Sequence, residues 1–359
     1  MSYTLALGPF PALGRCPQRL VLTVEGEQVV DTLYRDDGYN ERGIADRLPR
    51  LALDQALPLV ARVCGTCSHA HTLAFCQAVE ALLTIEVPPR AAMLRCALAE
   101  IERAASHLGA AAAIVAALGL TTLETKLYGL RVSVRQAMHA LSGRPALPDL
   151  CLPGGLRRNP TDDEQHAALS ALEQLHRGLF TLTDQLIERR DLLRRTADIG
   201  VLSRTVAEQF GLRGPLARAA GLPADLRIDA PYAAYAQLDP RPVTQEGGDV
   251  YARLMTLLLE ALESQRQAER ALQLAPGGAW EGAMPTSLVA GAASSAVEAP
   301  RGLLRYRIES DGRRLTGVQL DAPKQIDRLI ARTLLNRALL DNVPLILRSI
   351  DSCTACAEG

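Results

Sequence analysis

The sequence predicts a mostly α fold: a long-helix bundle core with small β regions near the N- and C-terminal parts. Three observations predict it. Apolar residues recur at three- and four-residue spacing through several long segments. Short alternating runs of β-prone residues lie toward the two ends. Gly- and Pro-rich connectors such as LPDLCLPGGLRRNP and PGGAWEGAMPTS punctuate the helical segments, yet none forms a clean interdomain linker. A single domain over 1–359 is expected, with a β-rich part over 1–53, a helical bundle over 54–300 and a β/α part over 301–359.

The elements follow in order. RLVLTVEGEQVVDTLY, 19–34, reads as two strands around a turn at Glu25-Gly26-Glu27. From about residue 54 the pattern turns helical. ALAEIERAASHLGAAAAIVAAL carries the helical spacing together with i, i+3 pairs such as Glu100–Arg103. The stretches 164–197 and 244–275 each read as one long amphipathic helix. LLRYRIESDGRRLTGVQL, 303–320, returns to the strand pattern. His107 lies on an apolar helix and reads as a hydrogen-bonded core histidine, whereas His139, His166 and His176 read as surface or cap residues. Asp225 and Arg227 read as a plain structural ion pair.

Composition narrows the function classes. Hydrophobic residues make up 48% and charged residues 22%, the balance of a globular chain. A formal net charge of -1, with no long Lys or Arg run, argues against nucleic acid as a partner. Aromatics at 4%, with one Trp, argue against a carbohydrate or base-stacking groove. GAAAAIVAALGL, 109–120, falls short of the roughly 20 apolar residues of a spanning helix and reads as a buried one. MSYTLALGPF lacks the basic flank and apolar core of a secretory signal, so a cytoplasmic chain is expected. In that reducing compartment the eight cysteines are expected to be buried bystanders or metal ligands rather than disulfides.

The most informative stretch is PLVARVCGTCSHAHTLAFCQAVE, 58–80. Cys64 and Cys67 form a C-x-x-C pair, with Gly65 expected to let the backbone turn so that both sulfurs face one point. A second pair, Cys353 and Cys356, stands within the last seven residues. Together they supply four thiolates, enough for a structural zinc site. A redox dithiol is a weaker reading, because no βαβ unit surrounds either pair. Against zinc, nearly the whole chain separates the pairs, and a core of this size needs no metal staple. Arg62, His69 and His71 flank one pair, and Asp351 and Glu358 the other. Nearby acid, base and guanidinium groups suit a catalytic soft metal better than a closed structural one.

RVCGTCSHAH together with DSCTAC resembles the paired motifs R-x-C-G-x-C-x-x-x-H and D-P-C-x-x-C of the nickel–iron hydrogenase large subunit. The likeness runs over nearly the whole chain, through GYNERGI, VPPRAAMLRCALAEIERAASHL, GLRGPLARAAGLPADLRIDAPYAAY, GGDVYARLMTLLLEALES and VEAPRGLLRYRIESDG. It is closest to the energy-converting, complex I-related branch. The resemblance implies a hydrogenase large-subunit fold, with residues 301–359 closing a metal site. It implies a nickel–iron centre held by Cys64, Cys67, Cys353 and Cys356, with cyanide and carbon monoxide on the iron and Cys67 and Cys356 bridging the metals. Arg301 matches the guanidinium over the open side of the metals, Glu25 an acid that passes protons outward, and His71 a histidine donating toward a cysteine sulfur.

The implied activity is reversible heterolytic cleavage of dihydrogen. Cys16, Cys76, Cys96 and Cys151 lack cluster spacing, so no iron–sulfur cluster is expected in this chain. Electrons are then expected to pass to an iron–sulfur small subunit. Membrane subunits of a hydrogenase complex and metal-centre maturation proteins are the other expected partners, with the chain peripheral on the inner face of the membrane. Some positions depart from the family pattern: Ser352 replaces a Pro, Pro11 and Glu41 stand where His is frequent, and Gly359 stands where a residue of a magnesium-type site is expected. With the sequence ending at Gly359, the expectation is that it either matures without the family's C-terminal clipping or never completes a normal centre. These departures define the alternative, a non-catalytic scaffold for assembly of the iron–cyanide–carbonyl fragment.

Overall fold

The computed structural model describes residues 2–8, 19–35, 42–146, 149–323 and 325–357. Pro11, Cys16, Glu41, Glu358 and Gly359 lie outside the described residues. The N-terminal part is an antiparallel meander of β1 (Ser2–Leu7), β2 (Arg19–Glu25) and β3 (Gln28–Arg35), in that order. Alternation in β2 turns Leu20, Leu22 and Val24 inward, and Gly26, at φ 62°, makes the β2–β3 turn. Both strands expected over 19–34 form as read; β1 joins them, pairing Leu5 with Leu22.

Next come α1 (Leu53–Val60), α2 (Ser68–Leu83), α3 (Pro89–Ala117), α4 (Thr121–Ser142), α5 (Asp162–Ile187) and α6 (Val250–Leu274). α3 packs on α4, α4 on α5, α5 on α6 and α6 back on α3, a closed four-helix core. The Ala-rich 109–117 end of α3 is buried in this core, as its composition predicts. Two expected helices differ in extent. The segment 164–197 is broken after Ile187 and resumes as Arg190–Thr196, because Arg189 takes extended backbone, with ψ 97°, and pairs with Asp191. The segment 244–275 becomes helical only at Val250. Gly248 sits at φ 59° with a Cβ position 2.1 Å from the Leu202 carbonyl oxygen, and Asp249 caps the helix by accepting from Ala252 N–H.

A second antiparallel sheet, β4 (Ala290–Ala299), β5 (Gly302–Asp311) and β6 (Leu315–Asp321), lies against α2. It begins at Ala290, eleven residues before the 301 boundary read from the sequence. A small hairpin, Cys151–Leu152 with Gly155–Leu156, also interrupts the bundle region. α7 (Arg328–Leu335) packs on β3, and α8 (Val343–Ile350) packs on α3 and α6. The chain then enters its last turn, Thr354–Ala357.

Candidate metal centre

Two short segments meet at the junction between bundle and C-terminal sheet. The first leaves α1, runs through Arg62 and Val63, and delivers Cys64 and Cys67, the latter capping α2. Gly65 has no positive φ, and a Cβ there would meet nothing within 4 Å, so a Gly-only turn is not what brings the sulfurs together. The second segment leaves α8 through Asp351, whose left-handed backbone (φ 51°) ends the helix and turns Cys353 and Cys356 inward. Arg42 ties the two segments to each other: its guanidinium donates to the carbonyls of Arg62 and Ala355, at 3.0 and 2.8 Å, and also to that of Val63.

The four thiols are buried and unbridged. Cys64 Sγ lies 3.6 Å from Cys353 Sγ, and Cys67 Sγ 3.2 Å from Cys356 Sγ; Cys353 and Cys356 are 3.7 Å apart. Hydrogen bonds from Cys353, Cys356 and Cys67 hold the Cys64 thiol well below its usual range. Cys356 is pushed up by its contacts with Cys353, Cys64 and Cys67. Cys67 also stays high: the bond from Cys356 lowers it, but Cys64 and burial together press it upward.

Arg301 faces this cluster from the β4–β5 turn. Its Nε donates to the Asp351 carbonyl at 2.7 Å, and its two terminal nitrogens donate to Asp351 Oδ1 and Thr66 Oγ1, each at 3.1 Å. Burial by itself would weaken the cation, but Asp351 and the neighbouring thiols hold it firmly protonated. Its backbone is fixed from behind. Arg103 donates to the Ala299 and Glu298 carbonyls, Arg218 to the Glu298 carboxylate and Gln325 to the Arg301 carbonyl. His71 sits one helical turn after Cys67 on α2, fully buried, with Nδ1 2.9 Å from the Tyr306 hydroxyl and Nε2 without a partner among the described residues. Burial pushes its imidazole down to about 4.

Comparison with known proteins decides the family. Residues 42–108 match the family described as nickel-dependent hydrogenase, and residues 117–292 the respiratory-chain NADH dehydrogenase 49-kDa subunit. The carbon monoxide-induced hydrogenase of Rhodospirillum rubrum is 31% identical over 362 residues, 99% of each chain. The chain belongs to the nickel–iron hydrogenase large-subunit and complex I 49-kDa family. Within that family its relatives lie in the energy-converting branch. Formate hydrogenlyase subunit 5 of Escherichia coli (strain K12) is 29% identical over 98% of this chain and 62% of that protein. A solved chain of the membrane-bound sulfane sulfur reductase, an archaeal respiratory membrane complex, superposes with a TM-score of 0.92. It is 25% identical, covering 100% of this chain and 98% of its own. Among the described residues, no helix is long and apolar enough to cross a membrane.

Nickel-dependent members of this family carry a nickel–iron centre, and the donor set here fits one. The sulfurs of Cys64, Cys67 and Cys356 all lie within 4.8 Å of one another, and Cys353 adjoins this trio at 3.6 Å from Cys64 and 3.7 Å from Cys356, a soft donor set of the kind that holds such metals. Buried His71, one turn beyond Cys67, has its Nε2 without a partner among the described residues. Of the residues expected at the site, Cys64, Cys67, Cys353, Cys356, Arg301 and His71 come together. Glu25 does not: it ends β2 in the exposed β2–β3 turn, paired across the sheet with Ser2 and Gln28, because the Gly26 turn points it to solvent. Arg62 donates to the Pro58 carbonyl at the end of α1 and so has a structural role.

Sequence reading missed Arg42, Thr66, Tyr306 and Glu102. The Glu102 carboxylate accepts the backbone N–H groups of His69 and Ala70, at 2.7 and 3.0 Å, capping α2 from α3. Burial pushes Glu102 up to about 7, against the pull of those two bonds. Its spacing from Glu100 and Arg103 was visible in the sequence, but only as a charged helix face. The remaining histidines follow expectation: His107 Nε2 contacts Glu260 at 2.9 Å in the core, and His139, His166 and His176 are exposed. Arg227 pairs with Asp225 at 2.6 Å, and Cys76 and Cys96 are fully buried in the core.

Proposed function

We propose that this chain is the catalytic large subunit of an energy-converting nickel–iron hydrogenase, with cyanide and carbon monoxide completing the iron. The observation that carries the reading is the meeting of four unbridged thiols from opposite ends of the chain beside a buried, fixed guanidinium. When bound, the centre supplies a soft Lewis-acidic metal pair at which dihydrogen is split into two protons and two electrons. The chain's own residues do the rest. The four cysteines, once deprotonated, hold the metals. Burial under α2, β5 and the last turn excludes bulk water. Arg301, gripped by Asp351 and Thr66, presents a cation that cannot lose its proton and so suits anionic iron ligands.

Electrons leave through a partner iron–sulfur subunit. Among the described residues the remaining cysteines, Cys76, Cys96 and Cys151, are core side chains on separate elements. The likeness to subunits of membrane complexes supports a peripheral position on the inner face of the membrane, docked through partner subunits and loaded by maturation proteins. Elemental analysis with infrared spectroscopy of the native complex tests the reading. Nickel and iron near one each, with cyanide and carbonyl bands, are expected. Iron with those bands but no nickel would instead indicate the assembly scaffold, and zinc without bands would overturn both.

A further inference from the structure

The hydrogen bond between Tyr306 and His71 has a consequence for the metal centre. Both side chains have no solvent exposure. The phenol oxygen lies 2.9 Å from His71 Nδ1, and the two rings meet edge to face, centroids 5.9 Å apart at 84°. Phe75, one turn further along α2, packs edge-on against the same tyrosine at 5.8 Å, so the phenol is held between two rings of one helix. Tyr306 is in the middle of β5, paired with Ser295 on one side and Leu320 on the other. Ser295 Oγ in turn donates to the Ala74 carbonyl, pinning β4 to α2 beside it. The tyrosine therefore cannot swing away without disturbing sheet and helix together.

Two hydrogen-bonding arrangements are open to such a pair. If Nδ1 carried the imidazole proton and donated to the phenol, the phenol's own proton would need another acceptor, and Nε2 would present a bare lone pair. Among the described residues, Tyr306 has no hydrogen-bond contact other than His71. Either arrangement leaves one buried donor unpaired, but a phenol is the better donor and an imidazole nitrogen the better acceptor, so the bond from phenol to nitrogen is the stronger of the two. If the phenol donates to Nδ1, its proton is satisfied and the imidazole proton is placed on Nε2. That nitrogen is the one the structure leaves without a partner. It lies on the α2 side chain one turn beyond Cys67, where the Cys64 charge is felt by the ring. Metal-bearing sulfurs are thiolates, which only accept. A donor there can be used; a lone pair cannot. The tyrosine keeps its proton throughout, because burial and the neighbouring Cys356, Cys67 and Cys64 push its ionisation far up.

We propose that Tyr306 is a positioning residue: by donating to His71 Nδ1 it fixes the Nε2–H tautomer, so that the buried histidine one turn beyond Cys67 presents a donor rather than a lone pair. The inference rests on the reading of the four cysteines as metal ligands, but the tautomer itself can be measured without metal. The test is long-range proton–nitrogen correlation NMR of the metal-free full chain labelled with [15N]histidine, with the His71 signals assigned by their loss in His71→Gln. An Nε2–H ring in at least tenfold excess is expected. Tyr306→Phe, which keeps the ring packing, should reduce that excess at least threefold. An Nδ1–H ring in the unsubstituted chain overturns the proposal, whether or not the variant folds. So does a folded Tyr306→Phe chain with the tautomer ratio unchanged. Nickel and iron content of the native complex separately tests the reading beneath it. In a loaded Tyr306→Phe complex with unchanged metal content, the carbonyl and cyanide bands should shift; unshifted bands would mean that the donor does not reach the centre.

Discussion

Arg301 is useful to the site through the number of its donors as much as through its charge. Three of its nitrogens are committed, two to Asp351 and one to Thr66, so the guanidinium is locked in one plane. Lysine keeps the charge but cannot span these acceptors. Arg301→Lys is therefore expected to lower hydrogen-oxidation rate roughly a hundredfold with nickel and iron content unchanged; a rate within twofold would show that charge alone suffices. The buried histidines give a pH dependence. Burial depresses His69 and His71 to about 4, below the 6.5 they have when unfolded. Above 6.5 both states are neutral. As pH falls from 6.5 to 4 the unfolded chain binds these protons and the folded chain does not, so stability drops, by about 3 kcal/mol per histidine. Urea midpoints measured across that range should fall with acid, and His69→Gln should make the slope shallower.

At the scale of elements, the cysteine loops are held by helix ends and turns rather than by their own sequence. α2 begins at the first cysteine pair, and its leading N–H groups are satisfied by Glu102 reaching over from α3. Glu102→Ala leaves two buried N–H groups without acceptors, for a loss of roughly 1–3 kcal/mol each. Chemical denaturation should show it, together with weaker metal retention. The β4–β5 turn depends on an equally close contact. Gly214, at φ 75°, presses on the Arg301 carbonyl, and a Cβ there would lie 2.2 Å from that oxygen. Since both partners are backbone, Gly214→Ala has to displace the Arg301 turn. It should cut hydrogen oxidation at least tenfold while leaving the helical circular dichroism intact; an unaltered rate would show the turn to be compliant.

At the scale of the whole molecule, the two ends of the chain meet twice: at the cysteine site, and where α7 and residues 337–340 pack and hydrogen-bond on β3 and its turn. The four-helix core of α3 to α6 is closed without the last turn, and α8 packs on it through residues before Asp351. Truncation after Ile350 is thus expected to abolish nickel and iron binding while the thermal transition of the bundle stays within a few degrees. Collapse of the bundle would mean that the tail is part of the core.

The sequence by itself determined the helical segments, the two outer β regions and the spacing of the four cysteines, because helical periodicity, strand alternation and C-x-x-C are local properties of the chain. The break at Arg189, the late start of α6 and the assignment of Ala290–Ala299 to the sheet escaped it. Each depends on a neighbour distant in sequence or on a backbone angle, such as the Leu202 carbonyl against Gly248. The tertiary structure also decided which charged residues serve the site. Glu25 was expected at the site and lies exposed, while Arg42, Glu102 and Tyr306, which the sequence did not single out, contact its segments. What recruited them is distance: a hydrogen bond or a Coulomb contact acts over a few ångströms in space. Between Arg42 and Ala355, 313 positions apart, only folding supplies that proximity.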